Sequence, residues 1–166
     1  TRLTGHGQDG MALSQATFKD WISDTKEAIS IGEVIGDEII LIGSSTGCSL
    51  IHCLLKEQIK VKSAIYISPN FGPRSFRGHF LRFPGAKWFI PLILGIEHSF
   101  VPKNSEHERC WTIRYPTKAL FAVKDSVVAA SRIDHSKIEL PMLSWLSDNG
   151  RVVSAQYTRR IIAQMG

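Results

Sequence analysis

Glu38-Ile39-Ile40-Leu41-Ile42-Gly43-Ser44-Ser45-Thr46-Gly47-Cys48-Ser49-Leu50 is an apolar, β-branched run that stops at a Gly-x-Ser-x-Gly pentad and continues as a helix-compatible stretch. In that order, strand then pentad then helix, the pentad predicts a tight elbow with a strained central serine. The positions two before and two after the serine must be small to avoid collision, and Gly43 and Gly47 occupy them. Ser45 is thereby raised at the carboxyl end of a sheet. The helix it starts aims its first amides, beginning with Thr46 N–H, at the place where negative charge would develop.

The surroundings bound the answer. The 166 residues suffice for one well-buried core and not for two ordinary domains. Hydrophobic residues make up 43% and charged residues 21%, the balance of a water-facing globular chain. The longest apolar stretch, residues 88–96, is too short to span a bilayer, and no basic region followed by an apolar one marks a secretory signal. Stable membrane insertion is therefore not expected. The net charge of +5 is spread out. Arg74, Arg77 and Arg82, and Arg151, Arg159 and Arg160, accompany no nucleic-acid motif and read as solvated surface. Cys48, Cys53 and Cys110 are odd in number and lack Cys-x-x-Cys spacing, so neither a disulfide framework nor a zinc site is indicated. Acidic residues and histidines do not cluster at ligand spacing, no cofactor motif occurs, and a reducing cytoplasmic setting is the default.

Outward from the pentad, helical and extended patterns alternate. Residues 1–10 are a glycine-rich loop that reads as leaving a strand. Thr17 caps a helix whose apolar face is Phe18, Trp21, Ile22, Thr25, Ala28 and Ile29, with Gly32 and Gly36 at its end. A strand over 38–42 and a helix over about 46–58 flank the elbow. A second strand spans 61–68, a third 140–146, and helices span 117–133 and 152–165. Residues 70–116 hold most of the aromatics, prolines and glycines and read as irregular. The alternation predicts an α/β fold with a parallel sheet covered on both faces, though with only about three strands.

Leu-x-Gly-His-Gly, a helix with Asp20-Trp21 near its start, Gly-Ser-Ser-Thr-Gly, a variable insertion and then strand-Asp resemble the α/β-hydrolase superfamily, within it the monoglyceride lipase and carboxylesterase branch. The resemblance runs from about Leu3 to Met165. It implies a core made of residues 1–69 and 117–166 with a helical lid over 70–116. It further implies N-terminal strands and a C-terminal strand outside the 166 residues. Gly5-His6-Gly7 then belongs to a structural turn rather than to the oxyanion loop, because only one helix and one strand fit between it and Ser45.

The implied chemistry is hydrolysis of a small-molecule carboxylic ester with a hydrophobic acyl group. Ser45 is the nucleophile, Asp148 after the third strand the acid, and Thr46 N–H an oxyanion donor. The acid would hold a histidine in one tautomer and stabilise its imidazolium. An Asp in a Ser-Asp-Asn-Gly turn also has an ordinary reading as turn chemistry. The general base should follow Asp148, and no histidine occurs after His135. His52 lies two helical turns past Ser45, His79, His98 and His107 fall in the insertion, and His135 precedes the third strand. The base is expected beyond Gly166, which leaves this stretch alone nearly inactive. Phe76, Phe80, Leu81, Phe83, Trp88, Phe89, Ile90, Leu92, Ile93 and Leu94 would give the lid an apolar underside or pack as ordinary core. Ser68-Pro69-Asn70 borders the same sheet edge.

Two other readings compete. A non-catalytic relative that kept the fold and lost its histidine would serve in binding. A doubly wound nucleotide-binding domain lacks both glycine-rich phosphate motifs. A sheet with two raw edges also predicts self-association.

Overall fold

A computed structural model describes residues 1–57, 59–74, 83, 85–150 and 152–165. The chain begins with a turn and a short helix α1 (Gly10–Gln15) capped by the Asp9 carboxylate. Helix α2 (Phe18–Ile35) follows. Thr17 opens α2 through a capping box in which its hydroxyl accepts from Asp20 N–H and the Asp20 carboxylate accepts from Thr17 N–H. The spacing of Trp21, Thr25 and Ile29 turns these residues inward. Gly36 caps the helix, which runs through Gly32 rather than ending there.

Strand β1 (Ile40–Ser44), helix α3 (Thr46–Leu55) and strand β2 (Ser63–Ile67) form the first crossover. After the insertion, a 3₁₀ turn (Thr117–Ala119) leads into α6 (Leu120–Ser131), then β5 (Met142–Trp145) and α7 (Ala155–Ile162). The sheet order is β1-β2-β5, all parallel, with Gly43 opposite Tyr66 and Tyr66 opposite Ser144. The expected strands and helices are all present, most with shorter bounds, while β1 is shifted two residues on from the expected 38–42 to Ile40–Ser44.

The insertion is not irregular throughout. It contains α4 (Ala86–Leu94), β3 (Glu97–Ser99), α5 (Ser105–Cys110) and β4 (Arg114–Pro116), with β3 and β4 paired antiparallel. Helix α1 seats against this ribbon. A side chain on Gly10 would meet Arg114 O at 2.3 Å, so glycine lets the two backbones touch. Ala86 and Ile90 of α4 pack on Phe121, whereas Trp88, Leu92 and Ile93 face outward. Of the apolar set expected to line a lid, Phe76, Phe80 and Leu81 lie outside the described residues, as does the Leu94 side chain.

One expectation is overturned. Among the described residues, the sheet is covered on one face only. Leu41, Ala64, Tyr66 and Met142 meet Cys48, Ile51, Leu55, Phe71, Ala130 and Ile161 in the main core. The opposite face carries Ile40, Ile42, Ile67, Leu143 and Trp145, which are 40–74% exposed. The reason is topological. The chain steps from β1 to β2 to β5 in one direction, and successive right-handed crossovers then place every connecting helix on the same side. A helix on the other face would require a strand beyond β1, which is absent among the described residues.

Candidate active site

The carboxyl ends of β1, β2 and β5 lie side by side, and the site is built there. Ser45 joins β1 to α3 at φ 50°, ψ −114°, a conformation that side-chain-bearing residues rarely adopt. What holds it is visible in its backbone bonds. Ser45 N–H donates to Ile67 O at 2.9 Å, and its carbonyl accepts from Cys48 N–H at 3.1 Å and Asn70 N–H at 3.2 Å. Ser45 is half-buried, and among the described residues no side chain is hydrogen-bonded to its hydroxyl. Thr46 is the first residue of α3, so its N–H belongs to the unsatisfied amides at the helix start.

The two pentad glycines are not equivalent. A side chain on Gly43 would lie 2.9 Å from both Cys48 N and Ile51 Cδ1, because β1 and α3 are in contact there. Gly47 meets nothing within 4 Å among the described residues, so its smallness is not demanded by this part of the structure. Cys48, one residue on, is fully buried, and burial raises its thiol pKa to about 12, which makes it an inert packing group.

Ser68 is a second residue at positive φ, 47°, and it follows β2 as Ser45 follows β1. The segment 67–70 is pinned from three sides. Ser68 N–H donates to Trp145 O at 2.8 Å, Thr158 Oγ1 to Pro69 O at 3.3 Å, and Ser49 Oγ to Asn70 O.

Asp148 lies in the turn after β5 and is exposed. Both carboxylate oxygens are engaged by Arg159 of α7, with Nη1 on Oδ1 and Nη2 on Oδ2, the latter at 3.1 Å. These hydrogen bonds, with the Arg159 charge, hold the carboxyl below the usual range. Among the described residues, no histidine is bonded to Asp148.

The histidines divide cleanly. His6 is exposed and packs edge-on against Trp21, with ring centroids 5.3 Å apart. His98 lies against Tyr115, and His107 accepts from Lys103 N–H at 3.1 Å. His79 is outside the described residues. His52 and His135 form a buried pair, Nε2 to Nδ1 at 2.9 Å, with Tyr66 Oη 3.4 Å from His52 Nδ1. Burial, then the neighbouring His135, pushes His52 down to about 3; burial also lowers His135, against the pull of Asp134. This pair fastens α3 to the turn after α6. Sequence reasoning placed both residues away from Ser45 but missed their contact, which a parallel fold brings about across 83 positions. Among the described residues, no group of three His, Cys, Asp or Glu side chains is arranged to hold a metal ion. No described helix is long and apolar enough to cross a membrane.

Comparison with known proteins separates sequence from structure. The sequence matches no family model and no curated protein. Solved structures do match. Against a structure from work on LipS and LipT, two metagenome-derived lipolytic enzymes, the TM-score is 0.81 at 21% identity, over 99% of this chain and 66% of the other. The monoacylglycerol lipase of Paleococcus ferrophilus gives 0.66 at 17% identity, over 98% of this chain and 66% of the other. The fold is that of the α/β-hydrolases. A soluble variant of the Saccharomyces cerevisiae monoglyceride lipase, solved with a substrate analogue, agrees at 0.65 and 10% identity, over 99% and 63%. The chain thus spans about two thirds of the length of the α/β-hydrolase structures it matches. At these identities the likeness concerns fold alone.

Proposed function

We propose that this chain carries the nucleophile portion of a carboxylic ester hydrolase of esterase or lipase type. The observation that carries the reading is the conformation of Ser45. A serine held at positive φ, at the junction of a parallel strand and a helix N-terminus, is costly unless the position is used. In the proposed reaction the Ser45 hydroxyl loses its proton to a histidine and attacks the ester carbonyl. The oxyanion is received by Thr46 N–H and by a second amide. Collapse expels the alcohol, and water activated by the same histidine clears the acyl-enzyme. None of the described histidines is placed to serve, and this reading assigns the base and the second amide to chain outside these 166 residues. The open space at Gly47 and the uncovered sheet face are where such chain would pack.

Asp148 is the proposed acid. Its pair with Arg159 keeps it ionised and leaves lone pairs free for an imidazole N–H, since a carboxylate has about four acceptor positions. The 70–116 segment is proposed as the lid. Trp88, Leu92 and Ile93, exposed on α4, favour a hydrophobic acyl group or alcohol over a charged substrate.

A second reading, a non-catalytic relative used in binding, draws support from the same pair. Asp148 with both oxygens on Arg159 has an ordinary role in stapling the turn to α7. Reaction with a fluorophosphonate probe separates the two. The hydrolase reading expects covalent labelling of the full-length gene product at Ser45 and none in Ser45→Ala; the binding reading expects labelling in neither.

A further inference from the structure

We propose that Ser49 is a positioning residue for Ser45, acting through the Asn70 peptide; this rests on the hydrolase reading above. Ser49 lies one helical turn past Ser45 on α3 and is fully buried. A buried hydroxyl needs a partner, and an ordinary choice for serine in a helix is a carbonyl three or four residues back. Ser126 does this on α6, donating to Val123 O at 2.7 Å. Ser49 does otherwise. Its hydroxyl leaves the helix and donates to Asn70 O, on the segment that follows β2. The same Asn70 residue donates its N–H to the Ser45 carbonyl at 3.2 Å.

The result is a closed clamp. From the Ser45 carbonyl it runs through the Asn70 backbone to the Ser49 hydroxyl, and returns up one turn of α3. Together with Ser45 N–H on Ile67 O, it ties both ends of the strained peptide to the exit of β2. A residue at positive φ persists only where its surroundings over-determine it. Ser49 supplies one of three side-chain contacts on this segment among the described residues, beside Thr158 Oγ1 on Pro69 O at 3.3 Å and Cys48 Sγ on Ile67 O at 3.7 Å, and it is the one that acts on the residue bonded to the Ser45 carbonyl. Without it, Asn70 O loses its anchor to α3, the turn that presents Asn70 N–H to the Ser45 carbonyl is held from the Pro69 side alone, and the Ser45 hydroxyl and the Thr46 N–H are less firmly fixed relative to each other.

The Ser49 side chain does not reach the reacting atoms, so its removal should slow the chemical step and leave substrate binding intact. In the full-length gene product, Ser49→Ala should lower kcat on a short-chain nitrophenyl ester about five- to tenfold with KM unchanged, and lower the rate of fluorophosphonate labelling by the same factor, as loss of one hydrogen bond allows. Ser49→Cys, which keeps a weak donor, should fall between. Ser126→Ala removes an equally buried hydroxyl elsewhere and should leave both rates within about twofold of the parent. The proposal is overturned if Ser49→Ala matches the parent, if its loss is entirely in KM, or if Ser126→Ala loses as much. A parent protein that never labels at Ser45 fails differently, because it removes the hydrolase reading itself and this inference with it.

Discussion

Lowering the pH from 7.5 to 5.5 should destabilise this fold through the His52–His135 pair. Both residues have folded pKa values below the ordinary histidine value of about 6.5, His52 at about 3. The unfolded chain therefore binds protons that the folded chain refuses. The stabilising contribution is complete above about pH 6.5 and is lost as pH falls below it, down to the folded values. Between pH 7.5 and 5.5 one fully refused proton costs about 1.4 kcal/mol. His52 supplies that amount. His135, also lowered by burial, adds in the same direction, so the total is at least about 1.4 kcal/mol. The exposed carboxylates Asp20, Asp134 and Asp148 have lowered pKa values and lose their contributions only below about pH 4, outside this window. Urea unfolding at pH 7.5, 6.5 and 5.5 reads the effect; with a slope of about 2 kcal/mol/M the midpoint should drop by at least roughly 0.7 M. His52→Gln, whatever its cost at pH 7.5, should make the pH dependence shallower by about one proton. A parent midpoint that does not move, or a variant with the parent's pH dependence, would refute the reasoning.

Three further outcomes follow from the same packing. Gly43→Ala should cost about 1–3 kcal/mol in urea unfolding, the range for overpacking, because its methyl would sit 2.9 Å from Cys48 N and Ile51 Cδ1; a change under about 0.5 kcal/mol would contradict the contact of β1 with α3. The accessible surface of 10,805 Å² exceeds the roughly 8,200 Å² typical of a compact 18.5 kDa monomer. The 166-residue chain should accordingly self-associate through Ile42, Leu143 and Trp145, and the pair Ile42→Glu and Trp145→Glu should suppress it; a parent that runs as a monomer by size exclusion with light scattering would disprove this. Asp148→Asn in the full-length gene product should lower kcat by two or more powers of ten, as loss of a triad acid does, while a loss under threefold would assign Asp148 to the turn alone.

The elements were legible because their signals are local. Thr17 with Asp20, the apolar spacing of Trp21, Thr25 and Ile29, and the β-branched run before Gly43 each declare a helix or strand without help from distant residues. Helix α1 was missed because six residues offer too little periodicity and Asp9-Gly10 reads equally well as a turn. The β3–β4 ribbon was missed because three-residue strands separated by a helix carry no alternation. The bare sheet face has a different cause. Composition says that a parallel sheet wants two covered faces, but which faces this chain covers depends on the order β1-β2-β5, which no local pattern encodes. In the site, the elbow was legible from Gly43 and Ser45. The Asp148–Arg159 pair, the His52–His135 pair and the Ser49–Asn70 clamp were not, since each joins side chains or backbone brought together only by the crossovers.

The most direct test of the central claim is the position of covalent modification by a fluorophosphonate. Full-length gene product treated with the probe, digested and analysed by mass spectrometry should carry the adduct on Ser45, with the Ser45→Ala protein unmodified. An unmodified Ser45 in folded protein, or an adduct that persists in Ser45→Ala, would contradict the account and leave the elbow as architecture without chemistry.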